Sequence, residues 1–142
     1  PLYISQEKAA AYRRFMKGNT LLITADTIVW LDGKVYGKPR NTADAKAMLQ
    51  ALSGKTHTVI TGVTLTSLQK QISFAVSTEV TFAALGDDEI DYYVETYRPL
   101  DKAGAYGVQE WIGYIGVTGL KGSYYNVMGL PIQRLYTELK KF

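Results

Sequence analysis

The segment from Leu21 to Pro39, LLITADTIVWLDGKVYGKP, constrains this chain most, because it encodes a buried strand, a tight turn and a returning strand. Its first part is mostly apolar and carries one carboxylate, that of Asp26. Burying a carboxylate without a partner costs several kcal/mol. The strand therefore predicts that Asp26 has a partner and a chemical role.

The turn after this strand favours a hairpin. Asp32-Gly33 is typical of a two-residue turn, and the chain that follows it would return Lys38 to the neighbourhood of Asp26. Two plainer interpretations stay open at this point. Asp26-Thr27 can form a cap or turn at a break in the strand, and Lys38 can be a solvated surface lysine.

Composition indicates one compact domain. The chain has 142 residues, of which 46% are hydrophobic and 20% are charged, so it can bury a real core. No apolar run approaches the roughly 20 residues that cross a bilayer, and no signal-peptide pattern opens the chain. We therefore expect no membrane partner and a cytoplasmic location.

Residue usage also limits the chemistry. The chain has no cysteine and one histidine, His57, which excludes disulfides, thiolate nucleophiles and histidine-rich metal sites. Any metal would have oxygen ligands, which favours Mg²⁺ or Mn²⁺. His57 is predicted to be a hydrogen-bonded structural residue. The net charge is +3, but the basic residues are scattered, so a nucleic-acid polymer is not the expected partner.

Apolar periodicity predicts four main helices. The first runs from a Ser5 cap to about Lys17, and its predicted apolar face consists of Ile4, Lys8, Ala11, Tyr12 and Phe15. The others begin at Asn41 or Thr42, at Asp87 and near Ile132. Their predicted core residues are Ala45, Met48, Leu49, Leu52, Ile90, Tyr93, Val94, Tyr97, Leu135, Tyr136 and Leu139.

The remaining segments predict strands and one short helix. The runs from His57 to Leu65 and from Ile72 to Phe82 indicate a long hairpin. Trp111 to Val117 is predicted to be a strand, and a short helix is predicted to begin at Asp101. The mixture favours an α/β fold around a twisted mixed sheet.

Five segments of the chain occur in the order and spacing of one family: ADT, GKP, SGKTHTVITGV, DKAGAYGVQ and GSYYNVMGLP. The sequence resembles the Maf nucleoside triphosphate pyrophosphatases, which were first named for septum formation. The resemblance implies the inosine-triphosphatase-like fold, in which two α/β lobes flank a nucleotide cleft. The GSYYNVMGLP segment resembles that of the branch that acts on dTTP and UTP.

The resemblance also implies roles for individual residues. Asp26 matches the essential aspartate, which would bind the metal or accept a proton. Lys8, within Glu7-Lys8-Ala9, and Lys38, within GKP, match lysines that hold phosphates. Gln109 matches a glutamine whose amide would orient water or contact the nucleotide. Lys8 alternatively snorkels over an apolar helix face, and Gln109 alternatively is a polar helix-end residue.

Three further residues are implied as secondary substrate contacts. Asp101 and Lys102 lie in the DKAGAY motif, and Ser123 begins the stretch that would help to shape the base pocket. Asp101 alternatively caps the short helix.

Two departures from the family accompany the resemblance. The family's Ser-x-Ser-Pro-Arg-Arg loop and the acidic residue after it do not occur before Lys8, so we expect residues 1–142 to be a single domain without the N-terminal segment and with little activity alone. Glu110-Trp111 replaces a glycine-rich continuation after Gln109, and an acidic side chain at that position is expected to repel phosphate.

The leading functional prediction is a homodimeric enzyme that uses Mg²⁺ or Mn²⁺ to hydrolyse dTTP, UTP or modified nucleotides to the monophosphate and pyrophosphate. A second hypothesis is a catalytically impaired nucleotide-binding regulatory or interaction protein linked to septum formation. A third is a basic protein that binds single-stranded nucleic acid, which would show strong salt dependence.

Overall fold

A five-stranded sheet with the order β2-β1-β3-β4-β5 organises the computed structural model, which describes residues 1–142. All neighbouring strands are antiparallel, so the predicted mixed sheet is corrected to an antiparallel one. The strands are β1 (Leu22–Leu31), β2 (Lys34–Tyr36), β3 (Thr56–Thr66), β4 (Gln71–Phe82) and β5 (Val117–Lys121). The helices are α1 (Leu2–Tyr12), α2 (Thr42–Leu52), α3 (Asp87–Tyr97), α4 (Trp111–Gly116), α5 (Tyr124–Met128) and α6 (Ile132–Lys141), with 3₁₀ turns at Arg13–Phe15 and Ala103–Ala105.

The predicted β1–β2 hairpin is confirmed. Asp32 and Gly33 have φ angles of 50° and 79°, the left-handed pair that a two-residue hairpin turn requires. Strand β2 is short and pairs with β1 only at Val29, Trp30 and Leu31. The first two thirds of β1 therefore have a free edge on the β2 side, and this edge positions the site described below.

The long hairpin of β3 and β4 is also confirmed, and it carries the core. One buried cluster packs α2 and α3 against Val59, Val80 and Phe82. A smaller cluster packs α6 against the other end of the hairpin, where Leu135 meets Phe74. Helices α2, α3 and α6 form as predicted because their apolar residues recur at helical spacing. Two of their predicted core residues are wrong, however, since Tyr97 and Tyr136 are exposed.

The first helix differs from the prediction in its start, its end and its buried face. It ends at Tyr12 and is followed by a 3₁₀ turn at Arg13–Phe15, rather than continuing to about Lys17. It begins at Leu2, and Ser5 is a fully buried interior residue rather than a cap. The Ser5 hydroxyl lies 2.7 Å from that of Thr64, while Tyr12 and Phe15 are exposed. The helix approaches β3 so closely that a Cβ on Gly62 would lie 2.5 Å from the carbonyl carbon of Pro1. Helix α1 therefore buries small residues, and the large side chains of its predicted apolar face are exposed.

The segment from Trp111 to Val117 was predicted to be a strand, and this prediction is wrong. Trp111–Gly116 forms α4, and the strand follows it as β5, paired with β4. A Cβ on Gly113 would collide with the Val108 carbonyl oxygen, so only glycine lets α4 lie this close to the loop before it. None of the helices combines the length and apolar character that crossing a membrane requires.

Candidate functional site

A cavity of about 240 Å³ lies at the free edge of β1. Asp26 and Thr27 both line the cavity. Successive residues of a strand point to opposite faces of the sheet, so the cavity extends around the edge of β1. It brings together six residues that the sequence predicted for the site: Lys8, Asp26, Lys38, Asp101, Lys102 and Gln109. The topology thus collects, in one place, side chains that are far apart in the chain.

Lys8 reaches the cavity from α1. Its Nζ donates a 2.7 Å hydrogen bond to the Ala25 carbonyl oxygen and lies 3.9 Å from Asp26 Oδ1. The carbonyl belongs to the part of β1 that β2 leaves unpaired. Asp26 is 22% exposed, so its carboxylate has an ion-pair partner and still faces the cavity. The ion-pair partner of Asp26 is therefore Lys8, which does more than cover an apolar helix face. Lys38, which the hairpin was expected to return to this neighbourhood, lines the same cavity.

Lys38 and the Asp101-Lys102 pair reach the cavity through a loop contact. The Gly104 N–H donates a 3.1 Å hydrogen bond to the Gly37 carbonyl oxygen, next to Lys38. Gly104 has a φ of 70°, and a Cβ there would lie 2.7 Å from Val29 Cγ2, so only glycine lets the loop lie this close to β1.

Electrostatics in this loop favour an ionised carboxylate. Lys102 Nζ donates to Asp101 Oδ1 at 3.2 Å. This hydrogen bond, with the charges of Lys102 and Lys38, holds the pKa of Asp101 below its usual range. Asp101 does not cap a helix, since the 3₁₀ turn begins at Ala103 with Lys102 before it. The cavity therefore presents three lysines and two carboxylates.

Gln109 lies in a tight turn rather than at a helix end. The Glu110 N–H donates to the Gly107 carbonyl oxygen at 3.0 Å, which closes a four-residue turn with Gln109 at its third position. Gln109 is exposed and lines the cavity, whereas Val108 beside it is buried. The turn thus directs an amide that both donates and accepts toward the charged residues.

The opposite wall of the cavity is apolar and belongs to α5. Val59 of β3 lines it with Val127, Met128 and Gly129. The fully buried Asn126 fixes α5 to the sheet. Its Nδ2 donates to the Val59 and Val76 carbonyl oxygens and to Thr78 Oγ1, at 3.3, 3.0 and 3.0 Å.

The sequence-based prediction missed Asn126. The available signal was a single amide next to the apolar Val127-Met128 pair within the GSYYNVMGLP motif. Thr61 Oγ1 donates to the Asn126 carbonyl oxygen at 3.1 Å and lies 2.8 Å from Thr27 Oγ1 in the cavity wall. Asn126 therefore holds the α5 wall in a fixed position against the sheet.

Ser123 is the one predicted site residue that the structure does not bring to the cavity. Its hydroxyl accepts the Asn126 N–H at 3.1 Å and caps α5. Its own N–H donates to Thr78 Oγ1 at 3.1 Å. These contacts account for Ser123 as a structural residue of the wall, and its contact with substrate stays a prediction.

His57 is a buried structural residue, as predicted. Its Nε2 lies 2.6 Å from the Tyr106 hydroxyl, and burial lowers the pKa of His57 to about 4. The ring of Tyr106 lines the cavity, and the sequence-based prediction missed it. His57 is therefore neutral near pH 7 and supports the cavity from behind.

The cavity also contains oxygen ligands for a hard cation. Asp26 and Asp101 supply carboxylates, and no group of three or more acidic, histidine or cysteine side chains is arranged as a metal cage. This donor set fits Mg²⁺, which proteins often hold through one or two carboxylates together with the phosphates of a substrate.

Comparison with known proteins identifies the family of this chain. Residues 1–142 match the family described as Maf-like protein. A dTTP/UTP pyrophosphatase of Phocaeicola vulgatus is 69% identical over 99% of this chain and 73% of the relative. Proteins of the same name from Bacteroides thetaiotaomicron and Parabacteroides distasonis are 63% and 58% identical, over 99% and 100% of this chain and 73% and 74% of the relatives.

Proposed function

This chain belongs to the Maf family, and from that premise we propose that it is a nucleoside triphosphate pyrophosphatase that acts on dTTP and UTP. The reaction would release the nucleoside monophosphate and pyrophosphate. The observation that carries the proposal is the cavity at the free edge of β1, where three lysines and Asp26 face an apolar wall. The names of the relatives support the choice of substrate.

The charged part of the cavity suits a triphosphate. A nucleoside triphosphate carries about four negative charges, and cations that hold them stabilise the transition state of phosphate transfer. Lys8, Lys38 and Lys102 approach from three different segments, so they can contact different phosphate groups. Their side chains are not consumed by tight internal ion pairs, with the exception of Lys102 on Asp101.

Asp26 and Gln109 would carry the chemistry of hydrolysis. The carboxylate of Asp26 can accept a proton from the attacking water or bind a cation, and its place on a strand keeps its direction constant. The amide of Gln109 can orient that water or the nucleotide. We include Mg²⁺ or Mn²⁺ in the proposal, held by Asp26 with Asp101 as a second carboxylate. The ion would supply positive charge for the phosphate oxygens.

The apolar wall suits the base. Val59, Val127 and Met128 offer a surface on which a pyrimidine can pack, and small-molecule sites combine such surfaces with a few polar groups. The cavity is a local pocket that combines charged and apolar walls, which suits a free nucleotide better than a polymer that needs a continuous groove. Free dTTP or UTP is therefore the proposed partner, and a nucleic-acid polymer is not.

The proposal extends to the setting of the enzyme. We place its work in the cytoplasm, where nucleotide pools are, and expect a homodimer. Light scattering of the full-length protein would test the dimer, and a mass of one chain across micromolar concentrations would overturn it.

A substrate panel tests the main proposal. The full-length protein is incubated with dTTP, UTP, CTP, GTP and ATP in Mg²⁺, in Mn²⁺ and in excess EDTA, and released pyrophosphate is measured. We expect the largest kcat/KM for dTTP and UTP and loss of turnover in EDTA. Release of single phosphates instead of pyrophosphate, or equal rates for all bases, would contradict the proposal.

A further inference from the structure

A buried tyrosine holds the turn that carries Gln109. The hydroxyl of Tyr93, on α3, accepts the Gly107 N–H at 3.0 Å and donates to Glu110 Oε1 at 2.6 Å. Gly107 and Glu110 are the first and last residues of the four-residue turn. One hydroxyl therefore ties both ends of the turn to the helix behind it.

Close packing leaves the turn little freedom. A Cβ added to Gly107 would lie 2.9 Å from Glu110 Oε1 and 2.9 Å from Lys102 Cε. The stem of Lys102 thus crosses the turn at the point where the tyrosine holds it. Lys102, which lines the cavity together with Gln109, is therefore packed against the turn that carries Gln109.

The Tyr93 hydroxyl keeps its proton. Burial, together with the hydrogen bond to Glu110, raises the pKa of Tyr93 well above its usual range. Tyr93 is fully buried in the core and its ring stacks on that of Tyr97, so its hydroxyl is held in place by packing. A donor that is both rigid and permanently protonated suits a carboxylate partner.

This contact corrects the expected role of Glu110. An acidic residue after Gln109 was expected to repel phosphate, but Glu110 is not among the residues that line the cavity. Its carboxylate faces Tyr93 on the far side of the turn. Glu110, which departs from the family pattern, therefore supports the turn beside the cavity and places no charge within the cavity.

We propose that Tyr93 and Glu110 form a clasp that positions Gln109 for the reaction, so that both are positioning residues for the pyrophosphatase. The inference rests on the proposed function, because it needs Gln109 to act on water or nucleotide. Neither Tyr93 nor Glu110 touches the cavity, and their effect would pass entirely through the geometry of the turn.

A double-mutant cycle in the full-length protein tests the clasp. Tyr93→Phe keeps the ring and removes the hydroxyl, and we expect it to lower kcat/KM for dTTP by about tenfold. In a Gln109→Ala background the same change should cost less than about twofold, since the residue that the clasp positions is gone. Equal losses in both backgrounds, or full activity of Gln109→Ala itself, would overturn the proposal.

Two controls separate the clasp from general stability. Tyr97→Phe removes a neighbouring hydroxyl for which the structure shows no hydrogen bond, and it should leave kcat/KM unchanged. Glu110→Gln keeps an acceptor and should retain most activity, whereas Glu110→Ala should resemble Tyr93→Phe. The Glu110 pair also tests the clasp if Tyr93→Phe fails to fold, because Glu110 is only partly buried. Equal activity of Glu110→Gln and Glu110→Ala would contradict the clasp.

Hydrogen exchange gives a readout that does not depend on activity. The Gly107 amide should exchange about tenfold faster in Tyr93→Phe than in the wild type, because its acceptor is lost. Tyr97→Phe should leave that rate unchanged. Unchanged exchange in Tyr93→Phe would overturn the clasp even in an active enzyme. An inactive wild type with faster exchange in Tyr93→Phe would instead refute the proposed function and leave the clasp geometry standing.

Discussion

The two sides of the cavity are built in opposite ways. The charged rim, defined as Lys8, Asp26, Lys38 and Lys102, consists of partly exposed side chains with few internal contacts, such as the 3.9 Å approach of Lys8 to Asp26. The anchored wall, defined as α5 with Gly129, depends on a fully buried Asn126 whose two side-chain N–H groups reach three acceptors of the sheet. The charged groups of the rim are therefore available to bind a ligand, whereas the hydrogen bonds of the wall stabilise the fold.

This contrast predicts a separation of effects. Changes in the rim should alter turnover and leave stability almost unchanged, because exposed charge pairs contribute little to folding. Changes in the wall should alter stability first, because they leave buried polar groups without partners. The following experiments test that separation.

The largest expected effect is on turnover at the rim. Asp26→Asn preserves shape but gives a poor metal ligand and no base, so we expect kcat to fall by at least about a hundredfold. The melting temperature should change little, since Asp26 is partly exposed and its ion pair is long. Asp32→Asn, in the exposed hairpin turn, is the matched control and should be fully active. Near-normal turnover of a folded Asp26→Asn enzyme would remove Asp26 from its central role.

The second-largest expected effect is a loss of folding stability on changing the wall. Asn126→Leu has a similar size but donates no hydrogen bonds, so three acceptors on β3 and β4 lose a partner. We expect a loss of about 3 kcal/mol in the free energy of unfolding, measured by urea titration. Gln133→Leu, on the exposed face of α6, should cost less than about 0.5 kcal/mol. If Asn126→Leu lowered activity in a protein of unchanged stability, the division between rim and wall would fail.

The buried histidine behind Tyr106, His57, predicts a pH dependence of stability. The pKa of His57 falls from 6.5 to about 4 on folding, so the unfolded chain binds the proton more tightly in that interval. Stability contributed by neutral His57 is present above pH 6.5 and is lost as pH falls toward 4. Between pH 7.5 and 5 this term should remove about 2 kcal/mol. His57→Gln lacks the group, so an equal slope in wild type and variant would refute the assignment.

The smallest effects should distinguish rim lysines from surface lysines. Lys8→Ala and Lys38→Ala should each lower kcat/KM for dTTP by about tenfold, the value of one charged hydrogen bond to phosphate. Lys70→Ala removes the same charge from the β3–β4 turn, where its Nζ contacts the Phe142 carbonyl oxygen, and should be silent. Equal losses in all three variants would mean that a general electrostatic field, rather than contacts at the rim, explains the lysines.

The elements that the sequence predicted well have strong local signals. Asp32-Gly33 specifies its turn through backbone conformation, and Asn41 caps α2 through a hydrogen bond from the Asp44 N–H. The charged rim was predicted in a different way, because the motifs that carry Lys8, Asp26, Lys38 and Lys102 resemble those of the Maf family. The prediction for the wall was less complete than the prediction for the rim. It named Ser123, which caps α5, and it overlooked the buried Asn126.

The sequence by itself determined the β1–β2 and β3–β4 hairpins, the helices α2, α3 and α6, and the charged groups that meet at the cavity. The hairpins and helices depend on interactions between residues close in the chain, which periodicity and turn chemistry record. The charged groups lie far apart in the chain and were identified through the family resemblance of their motifs. Only the tertiary structure decided that α1 buries Ser5 instead of Phe15, that Trp111 begins a helix, and that Glu110 turns away from the cavity toward Tyr93. Each of these depends on the shape of a surface contributed by a distant segment, and no local pattern contains that shape.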